Sequence, residues 1–177
     1  PPGAPFFMML ARLFTMWVPN EFAATAVNVL SALCSSFTIL FLFWSITHLA
    51  KKIAAKTNEL SKGGVWGVLV AGAVGALAYA FSDSFWFSAV EGEVYAMSSL
   101  FTASVFWAIL KWESLADRGG ELRWIILIAY LMGLSIGVHL LNLLAIPAIA
   151  FVYYFKKHKT TPLGVILTGI ISLVILG

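Results

Sequence analysis

The sequence WIILIAYLMGLSIGVHLLNLLAIPAIAFVYYF, residues 124–155, runs for 32 residues without Asp, Glu, Lys or Arg. As a single α-helix it would be about 48 Å long at about 1.5 Å per residue, whereas the hydrocarbon core of a bilayer is about 30 Å thick. Divided at residues 135–139, it becomes two short helices of about 15–16 residues joined by a turn. The fold depends on which of these interpretations is right.

The positions of the basic residues favour the hairpin. Cytoplasmic loops of membrane proteins collect Lys and Arg. With a hairpin, ten of the eleven basic residues lie on one side of the membrane and only Arg12 lies on the other. With a single span, the last lysine cluster would lie on the wrong side. The ten residues are Lys51, Lys52, Lys56, Lys62, Lys111, Arg118, Arg123, Lys156, Lys157 and Lys159.

The composition agrees with a chain that crosses a membrane several times. Hydrophobic residues make up 61% of the sequence and charged residues only 11%, whereas a soluble domain has about 25% charged residues. This excludes a soluble domain and a disordered chain. The basic residues form no patch with interleaved aromatics, so membrane lipids, and not nucleic acid, are the expected partners. The sequence starts at Pro1 and stops at Gly177 inside an apolar run, so we expect a segment of a longer protein.

The predicted fold is all-α, a polytopic membrane helix bundle forming a single transmembrane domain over residues 1–177. About six spans are expected, two of them short and joined as the hairpin, with the chain starting outside. The spans lie near residues 22–50, 63–82, 88–110, 122–137, 139–155 and 161–177. Residues 5–18 are expected to form an amphipathic helix in the outer interface. The second span is rich in small residues that let helices approach closely, with Gly72 and Ala76 forming one small pair.

The few polar residues on the outer side are the main functional signal. Charged residues at a membrane boundary that are not basic anchors are functional candidates. These residues come from separate loops, so they could converge at one site. They are Arg12, Glu21, Asp83, Glu91, Glu93, His139 and Asn142.

Several of these residues also have structural explanations. Ser88 and Glu91 match a capping box, in which the two side chains bond the free amides at a helix start. Asp83 is a typical turn or cap residue. Trp86 could belong to an interfacial aromatic belt.

Glu93 is harder to explain as a capping residue. On a continuous helix, Glu91 would share a polar stripe with Tyr95, Ser98 and Thr102, while Glu93 would point about 200° away, onto an apolar face. A carboxylate on such a face is unfavourable unless it is paired or faces water. This pattern favours a role for Glu93 in the site.

His139 and Asn142 flank the apex of the predicted hairpin, three residues apart and on one helical face. His139 could equally be a hydrogen-bonded structural residue. Arg12 could bind a phosphate or simply extend its charge toward the headgroups. No second His or Cys lies at ligand spacing, so neither a metal site nor a cofactor is predicted.

Three stretches, residues 1–7, 85–95 and 133–142, together resemble a bacterial family of large membrane proteins. This family was long catalogued as a domain of unknown function, is common in Bacteroidetes, and is related to a eukaryotic transmembrane protein O-mannosyltransferase. The resemblance covers nearly the whole chain. It implies a GT-C-like fold, in which an acidic motif in the first outer loop supplies the key carboxylate, followed by a His-Pro-Pro segment and an interfacial helix. Because the chain begins at the two prolines, we expect it to lack that carboxylate.

The resemblance further implies transfer of a sugar, with mannose as the candidate, from a polyprenyl-phosphate donor to a hydroxyl of a protein acceptor. The reaction would occur on the periplasmic side of a bacterial inner membrane. Glu93 and Glu91 are then the candidate catalytic carboxylates, as second carboxylates or acceptor-positioning groups. The candidates for substrate binding are Arg12, His139, Asn142, Asp83, Trp86 and Tyr95.

Two alternatives remain open from the sequence. One is a non-enzymatic transporter or lipid-handling module that uses the outer polar residues as relay or binding groups. The other is an assembly scaffold in which they only cap helices. Polar side chains are nearly absent from the span centres, which favours the enzyme over a transport path.

Overall fold

A computed structural model describes residues 3–55, 60–117, 119 and 121–176. These residues form eight α-helices and two 3-10 segments, and they contain no strand, so the predicted all-α membrane bundle is confirmed. The helices are α1 Pro5–Thr15, α2 Ala23–Ala54, α3 Lys62–Ala80, α4 Asp83–Val90, α5 Val94–Leu115, α6 Glu121–Ile136, α7 Ala145–Lys157 and α8 Pro162–Leu176; the 3-10 segments are Asn20–Phe22 and Leu140–Leu144.

Four stretches are long and apolar enough to cross a membrane by length and composition. They are Asn20–Ala54, Lys62–Ala80, Val94–Leu115 and Leu140–Lys157. The remaining two predicted spans correspond to α6, with 16 residues, and α8, with 15. Both helices are shorter than the about 17–25 residues of a full crossing.

Helix α5 is the centre of the bundle. It packs against α2 on one side and against α6 and α7 on the other, while α3 packs on α2 and α8 on α7. The face of α5 that the neighbours cover is buried, with Val105, Ile109 and Trp112 almost inaccessible to solvent. Helix α5 therefore links α2 to α6 and α7.

Close packing of α3 on α2 depends on small side chains. Gly72 and Ala76 are the buried residues of α3. A Cβ atom added to Gly72 would meet the Thr47 and Phe43 side chains of α2. The small-residue face predicted for the second span thus faces the neighbouring helix, as the general packing rule for membrane helices requires.

One end of the bundle collects lysines, and ion pairs tie its helices together. The pairs are Lys52–Glu113, Lys156–Asp117 at 2.5 Å and Lys157–Glu121 at 2.8 Å. They bring the last turns of α2, α5 and α7 to the start of α6. The chain therefore returns to this end after the long uncharged run, as the hairpin interpretation predicts. We call this the lysine end, and the opposite end, which carries Glu21, Glu91 and Glu93, the glutamate end.

The third long helix differs from the prediction. It begins at Val94 and not near residue 88, because residues 83–90 form the separate helix α4. Ser88 lies inside α4, where its hydroxyl donates to the carbonyl of Ser84 at 3.0 Å. The capping-box interpretation of Ser88 and Glu91 is therefore wrong.

Candidate functional site

The segment Glu91-Gly92-Glu93 forms a break between α4 and α5 at the glutamate end. Glu91 and Glu93 both have extended backbone conformations, and the Glu93 amide donates to the Glu91 carbonyl at 2.9 Å. The Glu93 side chain is exposed and that of Glu91 is half-buried. Since neither residue is helical, the expected 200° separation on a helix does not apply. Both carboxylates lie at the N-terminal end of α5, where the helix dipole favours negative charge.

Gly92, between the two glutamates, lies close against α2. A Cβ atom at this position would lie 2.9 Å from the Val27 Cγ1 and 3.1 Å from the Asn28 Oδ1. The backbone of residue 92 therefore approaches α2 more closely than a side chain would permit. This contact holds the two flanking glutamates beside the first turns of α2.

His139 serves as the N-cap of the 3-10 segment that follows the hairpin turn. Its Nδ1 accepts a hydrogen bond from the Leu141 amide at 3.1 Å, and its ring lies 5.7 Å from the Tyr95 ring. With Nδ1 accepting, the neutral imidazole carries its proton on Nε2, which is then a donor. Nε2 makes no hydrogen bond within the described part of the chain. His139 thus stabilises the 3-10 segment through Nδ1, and its Nε2–H remains available as a donor.

Asn142 fastens the same segment to α5. It is buried, at 2% exposure, and its Oδ1 accepts hydrogen bonds from Ser98 and Thr102, each at 2.8 Å. Tyr95, Ser98 and Thr102 are spaced three and four residues apart, so they share one face of α5. The polar stripe that the sequence suggested on this helix is therefore present, although Glu91 does not belong to it.

An open groove of about 520 Å³ begins at this polar stripe. Ser98, Thr102 and Asn142 line it toward the glutamate end, and Phe106 and Leu42 continue it toward the middle of the bundle. Its lining is mainly apolar with a few convergent polar groups, which is typical of small-molecule sites. The arrangement suits an amphiphile with its polar part near Ser98 and Asn142.

Helix α1 is attached to the turn that precedes His139. The Phe6 amide donates to the Gly137 carbonyl at 3.0 Å, and the Phe6 and Phe101 rings contact each other edge to face. A Cβ atom at Gly137 would lie 3.1 Å from the Phe6 Cβ, so this approach also depends on glycine. Arg12, which is exposed on α1, is therefore carried at the same end of the bundle as His139.

The remaining predicted site residues lie on α4. Asp83 is exposed in its first turn, and Trp86 is exposed and stacks on the Phe81 ring at 5.8 Å. The structure thus brings Tyr95, His139 and Asn142 together, and it places the others on neighbouring elements without a recorded contact to them. No group of three or more His, Cys, Asp or Glu side chains among the described residues is placed to hold a metal ion.

The sequence did not single out four residues that shape this site. Ser98 and Thr102 were visible only as members of a stripe, since their partner Asn142 is about 40 residues away in the chain. Gly92 and Gly137 lie in stretches that were predicted to contribute to the site, but nothing in the sequence indicated a role for either glycine. Both act through tertiary contacts, which spacing along one helix does not show.

Comparison with known families agrees with this structure. A family model described as the Protein O-mannosyl-transferase TMEM260 N-terminal domain matches residues 1–162. The match covers most of the chain, which therefore belongs to this family, and the predicted relation to a eukaryotic O-mannosyltransferase is confirmed. No curated protein and no solved structure matches the chain significantly.

Proposed function

We propose that this member of the O-mannosyl-transferase family takes part in sugar transfer from a polyprenyl-phosphate donor to a hydroxyl of a protein acceptor, with mannose as the sugar. The proposal includes a GT-C-like arrangement, with the reaction on the periplasmic side of a bacterial inner membrane. The observation that carries it is the family match over residues 1–162, which makes a glycosyltransferase the function to expect.

The groove supports a lipid-linked donor. A polyprenyl chain is apolar, and the groove offers Leu42 and Phe106 toward the middle of the bundle. Its polar part begins at Asn142 and Ser98, beside the segment that His139 caps. We place the phosphosugar near His139 and the lipid chain along the apolar part.

The chemistry uses the polar groups of the glutamate end. The bond between the sugar C1 and the phosphate oxygen breaks, a bond from the acceptor oxygen to C1 forms, and the hydroxyl proton passes to a carboxylate. Glu93 and Glu91 are proposed as second carboxylates beside that group or as groups that position the acceptor, because both lie at the start of α5 and the Glu93 side chain is exposed there. A positioned general base contributes about 10²–10⁴-fold to the rate. The Nε2 donor of His139 and the Arg12 guanidinium are proposed to stabilise the departing phosphate.

A transfer assay with the full-length protein in membranes tests the carboxylate. Glu93→Gln keeps the shape of the side chain and removes the second carboxylate, so we expect kcat to fall about 100-fold. Glu21→Gln is the matched control, since Glu21 is also an exposed carboxylate at the glutamate end. Unaltered transfer by Glu93→Gln would remove Glu93 from the mechanism. An equal loss in both variants would point to a general effect of charge.

Cysteine labelling tests the proposed orientation. The buried Cys34 is first replaced by Ser, and a single cysteine is then introduced as Glu93→Cys or Lys159→Cys. We expect a membrane-impermeant maleimide to label the first variant from the periplasm and the second only after the inner membrane is opened. Labelling of both variants from one side would contradict the placement of the two ends across the bilayer.

A further inference from the structure

A second groove lies at the lysine end. It has a volume of about 530 Å³ and is formed by α2, α3 and α5. We call it the lysine groove. The side chains that matter here are Trp44, His48, Lys51, Val65, Trp107 and Lys111.

The two lysines that line the lysine groove have no carboxylate partner among the described residues. Lys52, Lys156 and Lys157 are each paired with a carboxylate. Lys51 and Lys111 line the groove and form no ion pair among the described residues, and no described carboxylate lines it. Two cations and an imidazole therefore face one cavity, which favours an anionic ligand.

Two tryptophans mark a boundary within the groove. The Trp44 and Trp107 rings lie 5.5 Å apart, between α2 and α5. On α2, His48 follows Trp44 by four residues, and on α5, Lys111 follows Trp107 by four residues. The two side chains of each pair therefore share one helical face. The Lys111 Nζ lies 5.5 Å from the centre of the Trp107 ring, which fixes the position of its ammonium group.

This arrangement matches the boundary between lipid tails and headgroups. Tryptophan is enriched at the membrane–water interface, and Lys and Arg lie in the headgroup region beyond it. Helix α2, with 32 residues, is about 48 Å long, so it extends well past a hydrocarbon core of about 30 Å. If Trp44 lies at the interface, Lys51, seven residues further along α2, lies at headgroup level.

The apolar side of the groove is open. Val65 and Leu69 of α3 line it and are 45% and 39% exposed. An inorganic anion would contact the lysines and leave these side chains uncovered. A ligand with an acyl chain would cover them, and basic pockets between membrane helices are typical binding sites for anionic lipid headgroups.

We propose that the lysine groove binds an anionic glycerophospholipid, with its phosphate between Lys51 and Lys111 and an acyl chain against Val65 and Leu69. A zwitterionic lipid brings its own cation to the same place and is bound more weakly. This inference concerns the lysine end alone and does not depend on the proposed sugar transfer.

Lipid titration of the purified full-length protein in detergent micelles tests the proposal, with melting temperature as the readout and native mass spectrometry as the count of bound lipid. Phosphatidylglycerol, phosphatidylcholine and inorganic phosphate are compared. Because a lysine near a lipid headgroup contributes a factor of about five, we expect Lys51→Gln or Lys111→Gln to weaken phosphatidylglycerol binding about fivefold and both together about 30-fold. Lys159→Gln, the matched control on an exposed lysine outside the groove, leaves binding unchanged.

Three results would overturn the proposal. Equal binding of phosphatidylcholine would show that the headgroup charge does not affect affinity. An equal rise in melting temperature with inorganic phosphate would show that no acyl chain is needed. An equal loss in Lys159→Gln would show a general attraction of the lysine end for anions. If the double variant does not fold, Lys51→Gln alone decides, because this exposed side chain takes part in no packing cluster.

Discussion

Asn142→Ala is the substitution whose effect can be worked out most directly. The Asn142 side chain is buried, and its oxygen is shared by the hydroxyls of Ser98 and Thr102. The substitution removes both hydrogen bonds and releases the 3-10 segment from α5. We expect a loss of stability with little change in the rest of the bundle.

The size of the loss follows from the bonds that are removed. Hydrogen bonds between membrane helices contribute about 0.6 kcal/mol on average and at most about 1.7 kcal/mol. Two bonds of 2.8 Å then give about 1.2 kcal/mol, and lost packing brings the total to about 1–2 kcal/mol. The contact from Nδ2 to the Ser135 carbonyl, at 3.5 Å, is too long to add much. The released hydroxyls can turn to carbonyls of their own helix, which limits the loss.

Unfolding by SDS titration in mixed micelles measures this free energy, and a double-mutant cycle of Asn142→Ala with Ser98→Ala isolates one bond. We expect a coupling energy of about 0.6 kcal/mol. Ser99→Ala is the control, because Ser99 lines the same groove and its hydroxyl has no partner among the described residues. A coupling energy of zero, or equal destabilisation by Ser99→Ala, would refute the assignment of Asn142 as the tether.

Two further predictions concern other contacts. Gly72→Val places a side chain against α2 and should destabilise the protein by about 1–3 kcal/mol, whereas Gly67→Val, with nothing within 4 Å of its added Cβ, should not. The hydrogen bond from the Lys156 ammonium lowers the pKa of Asp117 below its usual 3.8. A carboxyl whose pKa is lower in the folded protein than in the unfolded chain contributes stability at pH values above its unfolded-state pKa. This contribution is lost as the pH falls through the folded-state pKa. Asp117→Asn should therefore lower the melting temperature at pH 6 but not in strong acid, and high salt should reduce the difference at pH 6.

The ends of the bundle could be predicted from the sequence because charge distribution alone determines them. A lysine cannot lie in the hydrocarbon core at low free energy, so the clusters at residues 51–52 and 156–159 had to lie at helix ends. The ion pairs confirm that both clusters meet at one end. The hairpin followed from this constraint, without knowledge of any contact.

The break at residues 91–93 could not be predicted in the same way. Ser88 and Glu91 have the identities and spacing of a capping box, and the local pattern is the same whether or not the helix begins there. At the break, residue 92 lies against Val27, more than 60 residues away in sequence. A contact of this kind is invisible to any local rule, and it also decides where the two glutamates lie.

The buried face of most helices could not be predicted from hydrophobicity, for a related physical reason. In a soluble protein the buried face is apolar, but lipid is as apolar as a helix interface, so hydrophobicity does not distinguish the two. On α2 the polar residues Ser31, Ser35, Thr38 and Ser45 are buried, while Leu33 and Phe37 are exposed. Small and hydroxyl-bearing residues at helical spacing are therefore the better signal of the interior. On α5 the rule is weaker, because Ser98 is only half-buried and Thr102 is exposed, and both hydroxyls donate to Asn142 at the edge of an open groove.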